Sequence, residues 1–243
     1  MKRARHKLLL ASLLLWAAPW LLARPLDTDD TGTVAKGQWE MEGGLDFTRA
    51  AGANSWAYTP VLAYGLTDRL QVELGCDYLV EHGDVDEAAA HGLDPLLQLK
   101  SRCWSTADGR FSLALAGNLG WPARLRGPRE GWERHGEVRL LATQEFGEAA
   151  LDFNAGYEFT GAWGGGDDAG LVSAGFRRPV TSTLGWVGEV FATFPRQASM
   201  QTLVATGLTV QGRGGWTFDA LVGCGVGTES PDVRFVLGFV RAL

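Results

Sequence analysis

Twelve segments of this chain alternate large apolar residues with small or polar ones, and their connections alternate between short and long. The segment LQVELGCDY (70–78) shows the pattern: Leu70, Val72, Leu74, Cys76 and Tyr78 fall on one face, Gln71, Glu73, Gly75 and Asp77 on the other. Period-two alternation over eleven to thirteen residues predicts strands. The expected strands cover 37–48, 55–65, 69–80, 93–104, 110–120, 134–146, 149–160, 169–179, 184–194, 200–211, 214–225 and 232–243. Each is close to the roughly 9–11 residues that a tilted strand needs to cross a bilayer. Helical periodicity is absent throughout, apart from a brief helical turn expected within DEAAAHGL (86–93).

The connections sort by length. Short ones are expected at 66–68, 105–109, 147–148, 181–183 and 212–214, and mostly longer ones at 49–54, 81–92, 121–133, 161–168, 195–199 and 226–231. Tight turns at one end and longer loops at the other characterise antiparallel up-and-down transmembrane β-barrels, which fixes the expected fold class as all-β. Aromatic residues gather at strand ends. Trp39, Tyr64, Trp186 and Trp216 lie near the short turns, and Trp56, Tyr78, Trp121, Tyr157 and Phe194 near the long loops. Two such bands match the girdles that sit at the headgroup level of a membrane.

The N-terminus agrees. MKRARHK is basic, LLLASLLLWAAPWLL is apolar, and Ala23 offers a cleavage position, so residues 1–23 read as a signal peptide. No Cys follows the apolar run, which argues against a lipoprotein. Residues 24–36 read as a polar periplasmic lead-in, and 37–243 as an outer-membrane barrel of a Gram-negative-type cell, with both mature termini periplasmic. Removing 1–23 takes away four Lys/Arg and no acid, leaving 18 bases against 28 acids and a net charge of −10. That acidity argues against nucleic acid as a partner. Cys76, Cys103 and Cys224 are odd in number, distant, and not spaced as metal ligands, so neither a disulfide framework nor a cofactor is expected. The last strand ends on PDVRFVLGFVRAL, whose terminal apolar Leu243 is similar to the signal that outer-membrane barrels present to their assembly machinery.

RPLDTDDTGTVAKGQWEMEGGLDF, followed by YGLTDRLQVELG, resembles the start of a group of outer-membrane proteins named for the meta-cleavage pathway of phenol degradation and often labelled transporters. The RPL-x-TDD lead-in, the Gly-rich acidic first strand and the Gly-Leu-Thr-Asp-Arg turn carry the resemblance. It is specific over about the first 80 residues and architectural beyond them. It implies a porin-like barrel that passes small, aromatic or hydrophobic compounds, and carries over no functional residues.

A lumen of twelve strands lies between the filled eight-stranded barrel and the wide channels of sixteen or more, so inward side chains decide what passes. Strand parity places the acids Glu40, Glu42, Asp46, Glu73, Asp77, Glu137, Glu145, Asp152, Glu158, Glu189 and Asp219 inward, against the bases Lys100, Arg102, Arg139, Arg177 and Arg234. The acidic excess predicts a cation preference. The selectivity candidates are Glu73, Asp77, Lys100, Arg102, Arg139, Asp152, Arg177, Glu189, Asp219 and Arg234. Pairing of 69–80 with 93–104 is expected to set Glu73 across from Lys100 and Arg102 in an ion-paired cluster, which serves either as structural filling or as a charged constriction.

Other readings are carried alongside. WPARLRGPREGWERHG (121–136) is a basic loop suited either to lipopolysaccharide phosphates or to simple solvation. EHGDVDEAAAHG (81–92) and the acids Asp27, Asp29 and Asp30 offer oxygen ligands without a calcium-loop spacing. A surface-binding scaffold is one alternative to transport. An outer-membrane lipid hydrolase is another, but it needs a Ser–His pair. His82, His91 and His135 all lie in or beside long loops, and no GxSxG occurs, so no enzyme activity is expected.

Overall fold

The computed structural model describes residues 26–50, 53–82, 90–126, 133–161, 168–227 and 230–243. Residues 1–23, expected to be a signal peptide, lie outside them. Twelve long strands form one antiparallel sheet: β1 (Trp39–Ala50), β2 (Ala53–Thr67), β3 (Leu70–His82), β4 (Ala90–Ser105), β5 (Phe111–Gly120), β7 (His135–Phe146), β8 (Ala149–Thr160), β9 (Ala169–Pro179), β10 (Leu184–Pro195), β11 (Gln201–Gln211), β12 (Trp216–Gly225) and β13 (Val233–Ala242). A short strand, β6 (Ala123–Arg126), pairs with the start of β4. Neighbours follow chain order, β1 pairs with β13, and the β3–β4 ladder completes the ring. The sheet is closed, so no long strand is left with an unpaired edge. Among the described residues no helix is long and apolar enough to cross a membrane.

Burial is inverted relative to a protein with an oily core. Lys100 is 2% exposed, and Glu42, Gln71, Glu73, Asp152 and Glu189 are buried with it. Leu74 is 60% exposed, and Leu99, Leu140, Phe153, Phe235 and Leu237 are open on the outside. A surface of this kind is stable only against hydrocarbon, which replaces the protein core as the solvent of the large side chains. The outward aromatics form pairs near both ends: Trp39–Tyr64 at 4.5 Å and Phe176–Trp186 at 5.3 Å beside short turns, Phe47–Trp56 at 4.6 Å beside a long-loop end. Arg241, which breaks the alternation of the last strand, places its guanidinium 5.0 Å over the Trp216 ring. This is a cation–π contact that tolerates a charge at the apolar rim.

Three local expectations are corrected. The connection expected at 49–54 is not a long loop: β1 reaches Ala50, β2 starts at Ala53, and those two residues are paired. Main-chain pairing carries the hairpin further than its small residues suggested. Within 86–93, residues Ala90–Leu93 belong to β4 rather than to a helical turn, because they pair with the end of β3; 86–89 lie outside the described residues. The loop 121–136 contains β6, and its residues 127–132 also lie outside them.

Candidate functional site

The lumen is occupied by the chain's own lead-in. Residues 24–36 read as a periplasmic segment, yet Asp27 to Val34 contact inward side chains of strands all round the barrel. No local pattern signals this, because each partner lies far away along the chain.

The entry point is built from the GLTDRLQ stretch. Gly65 and Lys36 form an isolated parallel bridge, Gly37 N–H donates to the Gly65 carbonyl at 2.8 Å, and Lys36 N–H donates to the Asp68 carboxylate at 3.2 Å. A Cβ on Gly65 would overlap the carbonyls of Val34 and Ala35, so only glycine lets the lead-in pass here. The two stretches that carry the family resemblance therefore touch each other.

Above the entry, the extended backbone finds side-chain partners where a strand would find another strand. Val34 N–H donates to Gln71 Oε1 at 2.6 Å, and Thr31 N–H to Thr143 Oγ1 at 3.0 Å. Asn154 pairs with Asp29 in both directions, accepting from its N–H at 2.7 Å and donating Nδ2 to its carbonyl at 2.7 Å. Glu189 accepts from Asp27 N–H at 3.2 Å and from Thr28 N–H at 2.8 Å. Buried main-chain groups are thereby satisfied one by one.

The three aspartates meet the inward bases. Lys100 Nζ lies 2.8 Å from Asp29 and 3.7 Å from Asp30. Arg177 lies 3.7 Å from Asp30 while its Nε donates to Asp152 at 2.9 Å. Arg234 grips Asp27 and also donates Nε to Asp46 at 2.7 Å. Arg139 chelates Glu137 and donates Nη1 to the Asp27 carbonyl at 2.6 Å. The cation-site reading of Asp27, Asp29 and Asp30 is thus replaced by ion pairing with the wall. Among the described residues, no group of three or more His, Cys, Asp or Glu side chains is arranged to hold a metal ion.

Of the ten selectivity candidates, Lys100, Arg139, Arg177, Glu189 and Arg234 touch the lead-in, and Asp152 reaches it through Arg177 and Thr143. Arg102 instead turns to the short-turn end and donates to the Asp68 carbonyl at 2.8 Å. Glu73 accepts from Gln71, Asp77 lies across from Asp94, and Asp219 is buried against Gly238. The register places another residue directly opposite Glu73 than the expected Lys100 or Arg102. Glu73 stands opposite Gln98, and Lys100 opposite Gln71, because the β3–β4 ladder is displaced by two residues, which keeps the face and moves the partner. Gln71, Thr143 and Asn154 fall on the inward faces by parity but were not among the candidates, because being uncharged they carried no further signal.

Free space remains at both ends of the occupied zone. A cavity of about 310 Å³ towards the long loops is lined by Asp27, Asp46, Leu79, Phe191, Leu203 and Arg234, among others. A second, of about 130 Å³ towards the short turns, is lined by Arg177, Gly185, Trp186, Val187 and Thr209 among others.

His135 has Nε2 2.6 Å from Asp94 Oδ2 and lines the wall beside Gly120.

No protein-family profile matches the chain, and no curated protein matches it either. Solved structures do. The translocator domain of the autotransporter NalP from Neisseria meningitidis is similar over 99% of this chain and 97% of its own, at TM-score 0.55 and 12% identity. The KdgM porin is similar over 84% and 99%, at TM-score 0.58 and 8% identity. The CymD monoaromatic hydrocarbon channel is similar over 86% and 89%, at TM-score 0.50 and 10% identity. The fold is that of an outer-membrane β-barrel. At these identities the likeness is one of architecture, shared by barrels that translocate and barrels that conduct.

Proposed function

We propose that the protein is an outer-membrane channel for small compounds, aromatic or hydrophobic ones among them, whose narrow charged lumen is plugged by its own lead-in. The observation that carries this reading is a closed sheet with a lipid-compatible exterior and a polar interior, with cavities above and below an eleven-residue segment rather than a continuous packed core. The short-turn end, which also bears Leu243 beside Trp39, is taken as periplasmic. Support for small aromatic or hydrophobic solutes comes from the resemblance of the lead-in and first hairpin to the phenol-degradation group, and from the fold shared with the CymD channel. Asp27, Asp29 and Asp30 add to the acidic excess of the wall, which favours cations over anions in any open state. Outer-membrane lipid and lipopolysaccharide surround the barrel in this reading, and the assembly machinery inserts it.

The plug itself favours a second reading, a closed scaffold whose loops bind at the cell surface. Planar-bilayer recording separates the two. The channel reading expects small cation-preferring conductance from the processed protein and several-fold more after deletion of residues 24–36. Silence from both forms supports the scaffold, and clear anion preference removes the selectivity argument.

A further inference from the structure

We propose that solute passes along the β10–β13 side of the lumen and that the tip of the lead-in, Leu26 with Asp27, is the gate on that path, while residues 29–34 stay docked. This rests on the channel reading and adds to it a route, a gate and a solute class.

The lumen has two unlike halves. Residues 29–34 are held by Gln71, Lys100, Thr143, Asn154 and Arg177, which come from β3, β4, β7, β8 and β9. On the other half, Val187, Ala205, Leu221 and Val236 form an apolar cluster, each no more than 7% exposed, with Leu26 packed against it. Glu189 and Asp219 interrupt this wall; Glu189 is engaged by the Asp27 and Thr28 amides.

The two cavities lie on either side of that cluster. Along β10, Gly185 and Val187 line the smaller cavity, and Phe191 and Thr193 the larger. Along β11, Thr209 lines the smaller and Leu203 the larger, with Gly207 and Ala205 between them. Inward residues on one strand are about 6.7 Å apart. The barrier is therefore one or two side chains thick, and Leu26 supplies its lead-in side. An apolar constriction of this kind excludes water and ions until a side chain moves.

The tip is also held by a releasable contact. When Asp27 leaves Arg234, the guanidinium keeps Asp46 and Glu189 keeps the Thr28 amide, so neither buried charge is orphaned and the freed carboxylate enters the larger cavity. At the anchor, Lys100 faces two lead-in carboxylates at once and is almost fully buried. A wall of Val, Ala and Leu selects a small uncharged molecule with an apolar face.

The test is swelling of liposomes holding the processed protein in arabinose, a small uncharged probe. Leu26→Gly and Asp27→Asn are each expected to raise the swelling rate at least threefold. Adding Ala205→Phe or Val236→Phe, which narrow the same path from the wall, is expected to return it to the parent rate. Strand content by circular dichroism checks that each variant is folded. Two results would overturn the tip gate alone: deletion of 24–36 opens the barrel but neither tip variant does, or the tip variants stay open with both wall variants present. No swelling even after the deletion overturns the channel reading and the gate together.

Discussion

Asp27 and Arg234 meet inside the barrel although 207 residues separate them in sequence. Arg234 also binds Asp46, so one guanidinium ties the lead-in, the first long strand and the last one together. The arrangement is asymmetric, and its two ends respond differently to substitution.

Arg234→Gln leaves Asp27 and Asp46 facing each other largely out of water, and is expected to destabilise the folded barrel by about 3 kcal/mol. Asp27→Asn leaves an intact Arg234–Asp46 pair and is expected to cost about 1 kcal/mol. Urea unfolding of the detergent-solubilised protein compares them; equal losses would mean that Asp46 does not hold the guanidinium.

Gly65→Val drives a side chain into the carbonyls of Val34 and Ala35. The barrel is expected to persist with its lead-in displaced. Protease cleavage within residues 26–36 should then accelerate roughly tenfold, equivalent to about 1.4 kcal/mol of docking. Cleavage at the parent rate would show that the lead-in does not enter beside Gly65.

Leu140 sits midway along β7 with half its surface exposed to the surroundings. Leu140→Arg is expected to cost about 2–4 kcal/mol if that surface meets hydrocarbon near the bilayer midplane. In a soluble barrel the same change would be close to neutral. Unfolding in lipid bilayers measures it.

Lys100→Met removes the charge of a side chain that is only 2% exposed and strips a cation from both Asp29 and Asp30. The lead-in is expected to loosen by about 3 kcal/mol. Hydrogen exchange at the Asp29 and Thr31 amides should rise accordingly, while the β10–β13 strand amides stay protected. Unchanged exchange would place the anchor elsewhere.

The wall was readable and its filling was not. Strands such as Ala149–Thr160 and Ala169–Pro179 lie where alternation put them, because a closed sheet between lipid and a polar interior enforces period two on every strand. Inward parity was also recoverable, since an error of one residue would have turned Leu237 or Phe153 into the lumen. The position of Asp27, Asp29 and Asp30 was not. Their respective partners Arg234, Lys100 and Arg177 lie between 71 and 207 residues away, and an acidic, turn-rich stretch has no periodicity to record which bases it meets. The residue directly opposite Glu73 was missed for a related reason: a two-residue displacement preserves the face, so the pattern cannot detect it.

The central claim, that the lead-in resides in the lumen, is tested most directly by one cross-link. A Cβ on Gly175 would lie 3.2 Å from the Thr28 Cβ, close to the roughly 3.5–4.5 Å of a disulfide. With Cys76, Cys103 and Cys224 replaced by Ser, the Thr28→Cys/Gly175→Cys protein is expected to form that disulfide on mild oxidation. Mass spectrometry of the digested protein would show peptides 26–36 and 169–179 joined. Two free thiols that both react readily with an aqueous maleimide, and no joined peptides, would contradict the account.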